Sequence, residues 1–267
     1  MWSWLARRCA RRRGVEGARR CPALALVAVA GACDPQVTIG HYDMEAGLAG
    51  GASQGDGAAA PLRWSADHDD GTLDEWIADG NGYTYVEADA SIGPTTERSR
   101  SGQGALLASC NPIDGGLAQA VIAREAAVAE ARYSAYYFFP GAPDTDYFVV
   151  MKLSTGDGTD RFDIDIHAPF GSTPRLRLFE HGSDWITEPA SAPLPIGQWV
   201  HLVATLRTSN GEDGFLSVAQ DGVTVLEVGP RPTISGERVT WFVGAACRSV
   251  SPAPYSFYVD DASIQAL

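Results

Sequence analysis

Cysteine, methionine and positive charge are scarce in this chain of 267 residues. It holds five Cys, three Met, and 20 Lys plus Arg against 33 Asp plus Glu, for a net charge of −13. That balance leaves no extended electropositive surface, and so argues against nucleic acid and anionic surfaces as partners. No CxxC pair and no Cys/His cluster is present, so a zinc site lacks its usual ligand set. No glycine-rich loop follows a strand, and no dinucleotide fingerprint or Ser/His/Asp order appears. No apolar run reaches the roughly 20 residues that a membrane-crossing helix needs. Sustained 3.6-residue periodicity is missing as well, which excludes a helical bundle.

The few cations are unevenly placed. Seven of the Arg lie between Arg7 and Arg20, ahead of a short uncharged apolar run, Ala23–Ala32, that ends in Ala30-Gly31-Ala32-Cys33. Basic, then apolar, then small residues is the layout of a bacterial export signal over residues 1–32. The Cys directly after the small residues resembles a lipoprotein signal, which implies that Cys33 is lipidated and anchors the protein in the cell envelope. An ordinary secretory signal, with full secretion, is the alternative reading. Removing residues 1–32 takes away seven Arg and one Glu, which moves the net charge from −13 to near −19. Export also makes the remaining cysteines readable. Cys110 and Cys247 are an even pair in a compartment where disulfides persist, and a bond between them is expected.

Residues 33–61 read as a tether. Ala46–Pro61 is mostly Gly and Ala with almost nothing to bury. From Leu62 to Leu267 the texture changes. Short runs rich in Tyr, Phe, Val, Ile and Leu alternate with Gly, Pro, Asp and Ser turns. The period-two pattern predicts strands near 83–89, 105–110, 117–123, 132–139, 148–153, 161–167, 175–180, 199–207, 214–220, 223–228, 240–245 and 255–264. A short helix is expected over Ile122–Arg132. Asp221-Gly222 between two strand runs is a two-residue hairpin signal, because such a turn needs positive φ at both central positions. Many short strands in one run predict a single all-β sandwich.

Three segments carry a resemblance. Pro195-Ile196-Gly197-Gln198-Trp199-Val200-His201-Leu202, followed by the Gly214–Val223 hairpin, resembles the core of concanavalin A-like, laminin-G-like domains. Asp69-Asp70-Gly71-Thr72-Leu73-Asp74-Glu75-Trp76 resembles the opening of extracellular jelly-roll domains, and Phe257–Ile264 resembles their closing strand. The resemblance implies a jelly-roll sandwich of two antiparallel sheets whose first and last strands lie side by side. It also implies a structural calcium at that seam, with Asp67, Asp69 and Asp260 as the expected oxygen ligands.

The densest chemistry lies in Asp163-Ile164-Asp165-Ile166-His167. At strand period two, Asp163, Asp165 and His167 share one face, with Ile164 and Ile166 on the other. Three ionisable groups on one sheet face read as a groove. Tyr136, Lys152, Arg175 and Arg177 are expected to join it from neighbouring strands, with Trp185 in the loop beyond. Aromatic surface beside hydrogen-bonding charge suits a sugar. Asp-x-Asp-x-His is similar in layout to the Glu-x-Asp-x-Glu strand of retaining glucanases of this fold, but His167 replaces the carboxylate that would act as acid. Ala135–Pro140 resembles a strand of the heparin lyase-like group, which would make His167 and Tyr136 the candidate catalytic residues of a polysaccharide lyase. A Tyr-Phe-Lys-x-Gly segment near the end, found in one alginate lyase family, has no counterpart in Tyr255-Ser256-Phe257-Tyr258. The expectation is therefore a carbohydrate-binding protein that recognises an extracellular or envelope polysaccharide on its concave sheet. A lyase is the first alternative, and a structural or protein-interaction module the second.

Overall fold

The computed structural model describes residues 62–87, 89–113, 115–155, 161–181, 185–187, 192–234 and 238–267. Residues 1–61, where the export signal, the lipidated Cys33 and the tether are expected, lie outside the described residues. The chain runs through β1 (Arg63–Ala66), α1 (Asp74–Ile77), β2 (Gly82–Glu87), β3 (Ala90–Thr95), β4 (Ala105–Cys110), β5 (Ala118–Ala127), β6 (Glu130–Phe138) and β7 (Asp144–Thr155). It continues through β8 (Arg161–Ala168), β9 (Arg175–His181), β10 (Trp185–Thr187), β11 (Trp199–Arg207), β12 (Phe215–Gln220), β13 (Val223–Val228), β14 (Arg238–Ser251) and β15 (Tyr255–Ala266).

These strands form two antiparallel sheets, and the fold is a jelly-roll sandwich. One sheet has the order β13-β12-β11-β6-β15-β4-β3, with β1 paired to β15; the other has the order β10-β9-β8-β7-β14-β5-β2. The sequence builds them by alternation. In β11, Val200, Leu202, Ala204 and Leu206 are buried, and in β9 Leu176 and Leu178 are; the residues between them point to the other face. Both sets join one core, together with Phe162, Ile164 and Ile166 of β8. A buried aromatic group, Trp76, Trp241 and Tyr133 with Trp64 at its edge, fills the end beneath α1.

The segment expected as a helix over Ile122–Arg132 is instead the end of β5, a turn and the start of β6. Its alanines are too small to carry a helical stripe, but they fit between paired strands. Ala120, Ala123 and Ala126 of β5 face Ala245, Phe242 and Val239 of β14 across the ladder. The expected disulfide is present, Cys110–Cys247 with a Cα–Cα distance of 6.4 Å and a sequence separation of 137. It ties β4 in one sheet to β14 in the other.

Candidate functional site

The outer face of the β2–β10 sheet is where the predicted groove forms. Because Phe162, Ile164 and Ile166 enter the core, Asp163, Asp165 and His167 turn outward. Across β9 they face Phe179, Arg177 and Arg175 respectively, and across β7 Lys152 faces Asp163. Lys152, Asp163, Asp165, His167, Arg175 and Arg177 therefore come together as the sequence predicts.

The cluster is tightly ordered. Arg177 grips Asp165 with two parallel bonds, Nε to Oδ1 at 3.0 Å and Nη2 to Oδ2 at 2.6 Å, the strong fork-to-fork geometry of guanidinium on carboxylate. Arg177 Nη2 also donates to the Asp146 carbonyl. Asp163 Oδ2 accepts the Tyr147 hydroxyl at 2.8 Å and His181 Nε2 at 2.8 Å. His167 sits with Nδ1 3.4 Å from the Asp146 carbonyl. Asp163 and Asp165 are 0 % exposed and Lys152 4 %. Charges so withdrawn from water persist only with partners.

Tyr147 and His181 belong to this cluster and escaped the sequence reading. Counting back from Lys152 by twos gives Val150 and Phe148. A bulge in β7 between Val149 and Met151 shifts the register, sends Val150 into the core, and turns Tyr147 to the outer face. His181 is the last residue of β9, one beyond the predicted strand end, opposite Arg161.

Tyr136 does not join this face. It lies in β6, whose neighbours are β11 and β15 of the other sheet. There it stacks on His201 at 4.2 Å, with the Arg100 guanidinium 3.6 Å above its ring. His201 Nε2 meets Ser134 Oγ at 2.7 Å, and burial, helped by the Arg100 charge, pushes its imidazole below the ordinary value. Trp185 opens β10 opposite Glu180; its side chain lies outside the described residues.

Beyond the charged cluster the face becomes aromatic. One line of opposed residues crosses six neighbouring strands: Phe179, Asp163, Lys152, Phe242, Ala123 and Tyr83. Tyr83 and Phe242 meet edge to face at 6.1 Å, and Tyr83 is 40 % exposed. Burial, with the charge of Glu125, pushes the Tyr83 phenol up to about 12, so it remains a neutral hydroxyl at ordinary pH. Phe179 rests against His181 at 4.7 Å at the far end. At roughly 4.8 Å between strands, the five steps cover about 24 Å.

At the seam expected to hold calcium, the first and last strands are adjacent: β1 pairs with β15. The carboxylates there are occupied by N–H donors. Asp67 accepts the Asp69 N–H at 3.0 Å, and Asp69 accepts those of Gln103 at 2.5 Å and Gly104 at 3.0 Å. Asp260 accepts the N–H groups of Arg100 at 2.8 Å, Ser101 at 3.3 Å and Asp261 at 2.8 Å. His68, which takes the Trp76 indole N–H at 3.0 Å, turns its Nδ1 toward Asp260 at 3.6 Å. Among the described residues, no three His, Cys, Asp or Glu side chains converge as metal ligands. A calcium ion takes six or more oxygens, and the three carboxylates expected to supply some of them are each held by N–H donors in this structure.

The chain is similar to three solved structures of this architecture. An endo-β-1,4-glucuronan lyase from the fungus Trichoderma reesei shares 13 % identity at a TM-score of 0.57, over 76 % of this chain and 95 % of that one. The cellulose induced protein Cip1 shares 14 % at 0.56, over 76 % and 97 %. The alginate lyase Aly36B shares 13 % at 0.57, over 78 % and 98 %. No family model and no curated protein sequence matches the chain. At such identities the likeness establishes the fold alone.

Proposed function

We propose that this is an exported, lipid-anchored protein that binds an extracellular or envelope polysaccharide on the outer face of its β2–β10 sheet. The line from Phe179 through Asp163 and Lys152 to Tyr83 carries the reading. It sets aromatic rings at both ends and, in the middle, a buried Asp163 that holds the half-buried Tyr147 and His181 at the surface, along a direction that crosses the strands. A polymer of sugar rings, with apolar C–H faces and polar edges, matches that alternation. Similar solved structures include two polysaccharide lyases, one recorded with an alginate trisaccharide, which is in keeping with a glycan partner. The Cys33 context favours the envelope, with lipid as the only membrane contact.

A polysaccharide lyase is the second reading, favoured by Tyr147 and His181 sharing one buried carboxylate, Asp163. In that reaction a base removes the proton beside a uronate carboxylate, a cation neutralises the carboxylate, and the C–O bond to the leaving sugar breaks as its oxygen gains a proton. Tyr147, His181 and His167 supply acid–base groups, and Arg175 supplies positive charge. The catalytic pair expected from sequence, His167 with Tyr136, does not meet.

The test is a panel of soluble polysaccharides incubated with the full chain, following binding and the ultraviolet absorbance of unsaturated uronate products. Binding without product is the expected result. Rising absorbance that His167→Ala or Tyr147→Phe abolishes replaces it with the lyase reading. No binding across acidic and neutral polymers moves the protein to a structural or protein-interaction role.

A further inference from the structure

We propose that Phe170 is a stacking platform for a sugar ring, extending the glycan-binding face past the ends of β8 and β9. The inference rests on the binding reading above. Phe170 is 97 % exposed, the most exposed large apolar side chain among the described residues. Its backbone is left-handed, with φ 57° and ψ 36°, a region that non-glycine residues other than Asn and Asp rarely occupy. Two unfavourable features thus coincide at one residue, and Asn or Gly would relieve both. Strain of this kind is kept where it positions a group for use.

The turn fixes the backbone that carries the ring. Pro169 precedes Phe170, Gly171 follows at φ 69°, and the Ser172 N–H closes the turn on the Pro169 carbonyl at 3.1 Å. Pro174 stiffens the return into β9. The turn joins the two strands that carry Asp163, Asp165, His167, Arg175 and Arg177, and His167–Arg175 is the last opposed pair before it. Phe170 therefore lies at the end of the two strands that carry the charged half of the face. Its exposed neighbours, Gly171, Ser172 and Thr173, are small and polar. They form no apolar patch of the kind a protein partner would need. A lipid surface would call for a cluster of basic residues around the ring; the turn itself, residues 168–174, holds none, and Arg175 is the first beyond it. One ring beside hydroxyls suits a sugar.

The full chain and its Phe170→Ala, Phe170→Asn and Phe170→Trp variants would be titrated calorimetrically with alginate, glucuronan and cello-oligosaccharides, and melted in parallel. For whichever polymer binds the native chain, Ala and Asn are expected to weaken Kd by up to about tenfold. Trp is expected to keep the affinity, and Asn to melt no lower than the native chain. Native affinity in both Ala and Asn overturns the platform and leaves the binding reading standing. A loss that Trp does not restore and that follows a lowered melting temperature also overturns it, as does loss of binding to anionic vesicles with glycan affinity unchanged. If the native chain binds none of the three polymers, the binding reading itself fails and the platform with it.

Discussion

Removing Arg177 tests whether the site is as rigidly built as its geometry implies. Asp165 has no exposed side-chain surface and receives two guanidinium bonds from Arg177, itself 11 % exposed. Arg177→Ala leaves a buried carboxylate without its principal counter-charge, and breaking such a pair from one side costs about 3–5 kcal/mol. For a domain of this size each kcal/mol shifts the melting temperature by about 2–4 °C, so the expected loss is roughly 6–20 °C. The surface pair Arg207–Glu130, with side chains 44 % and 26 % exposed, is the internal control. Arg207→Ala is expected to leave the melting temperature nearly unchanged. Adding Asp165→Asn to Arg177→Ala removes the stranded charge and is expected to recover most of the loss. Thermal and urea unfolding of the four proteins decide the matter. If Arg177→Ala melts within a few degrees of the native chain, as Arg207→Ala should, or if Asp165→Asn brings no recovery, the cluster is not the buried, paired scaffold inferred from its contacts.

Cys110→Ser with Cys247→Ser opens a loop spanning 137 residues; the chain-entropy model gives a loss of roughly 5 kcal/mol, read as a lowered urea midpoint with a native-like circular dichroism spectrum. Acid is expected to weaken the tie that Arg124 of β5 makes to Asp79, just after α1. The Arg124 guanidinium holds Asp79 near 2, below its ordinary 3.8, so this contribution is complete above pH 3.8 and fades as pH falls toward 2. Asp79→Asn is expected to flatten the pH dependence of stability in that window. Chelation is expected to leave the melting temperature unchanged, because the seam carboxylates are bound to N–H groups; a drop of several degrees with EDTA that calcium reverses would contradict this. Cys33→Ser is expected to release the protein from the membrane fraction and to abolish incorporation of radiolabelled palmitate.

Strands with strict alternation were legible almost to the residue. Trp199–Arg207, Ala105–Cys110 and Val223–Val228 have the bounds read from the sequence, since buried and less buried side chains alternate throughout the first and over the last residues of the other two. Short or irregular strands were not. β3 contains Gly93 and Pro94 at a sheet edge, and β10 has three residues, too few for a period to show. Alanine blurred β5, because it is compatible with either period and only its partner strand decides. The site divides in the same way. Asp163, Asp165 and His167 share a face by local geometry, which one strand encodes by itself. Tyr136 was misplaced because strand order depends on contacts between distant segments, and Tyr147 was hidden because a single bulged residue inverts every side chain before it.

The pairing of β1 with β15 has a mechanical consequence. A pull on the chain at residue 62, resisted at the outer face of the β2–β10 sheet, loads the sandwich along a route of paired strands and one disulfide. It passes from β1 to β15, then to β4, crosses through Cys110–Cys247 to β14, and reaches β7 and β8. The disulfide, the one side-chain covalent link between the two sheets among the described residues, lies on that route. The weakest span of the route is the β1 ladder, four opposed pairs from Arg63–Gln265 to Ala66–Ala262, reinforced by the Trp64 indole on the Glu75 carbonyl. Under tension this short strand is expected to peel first, while the β2–β10 sheet, with which it shares no ladder, keeps its shape.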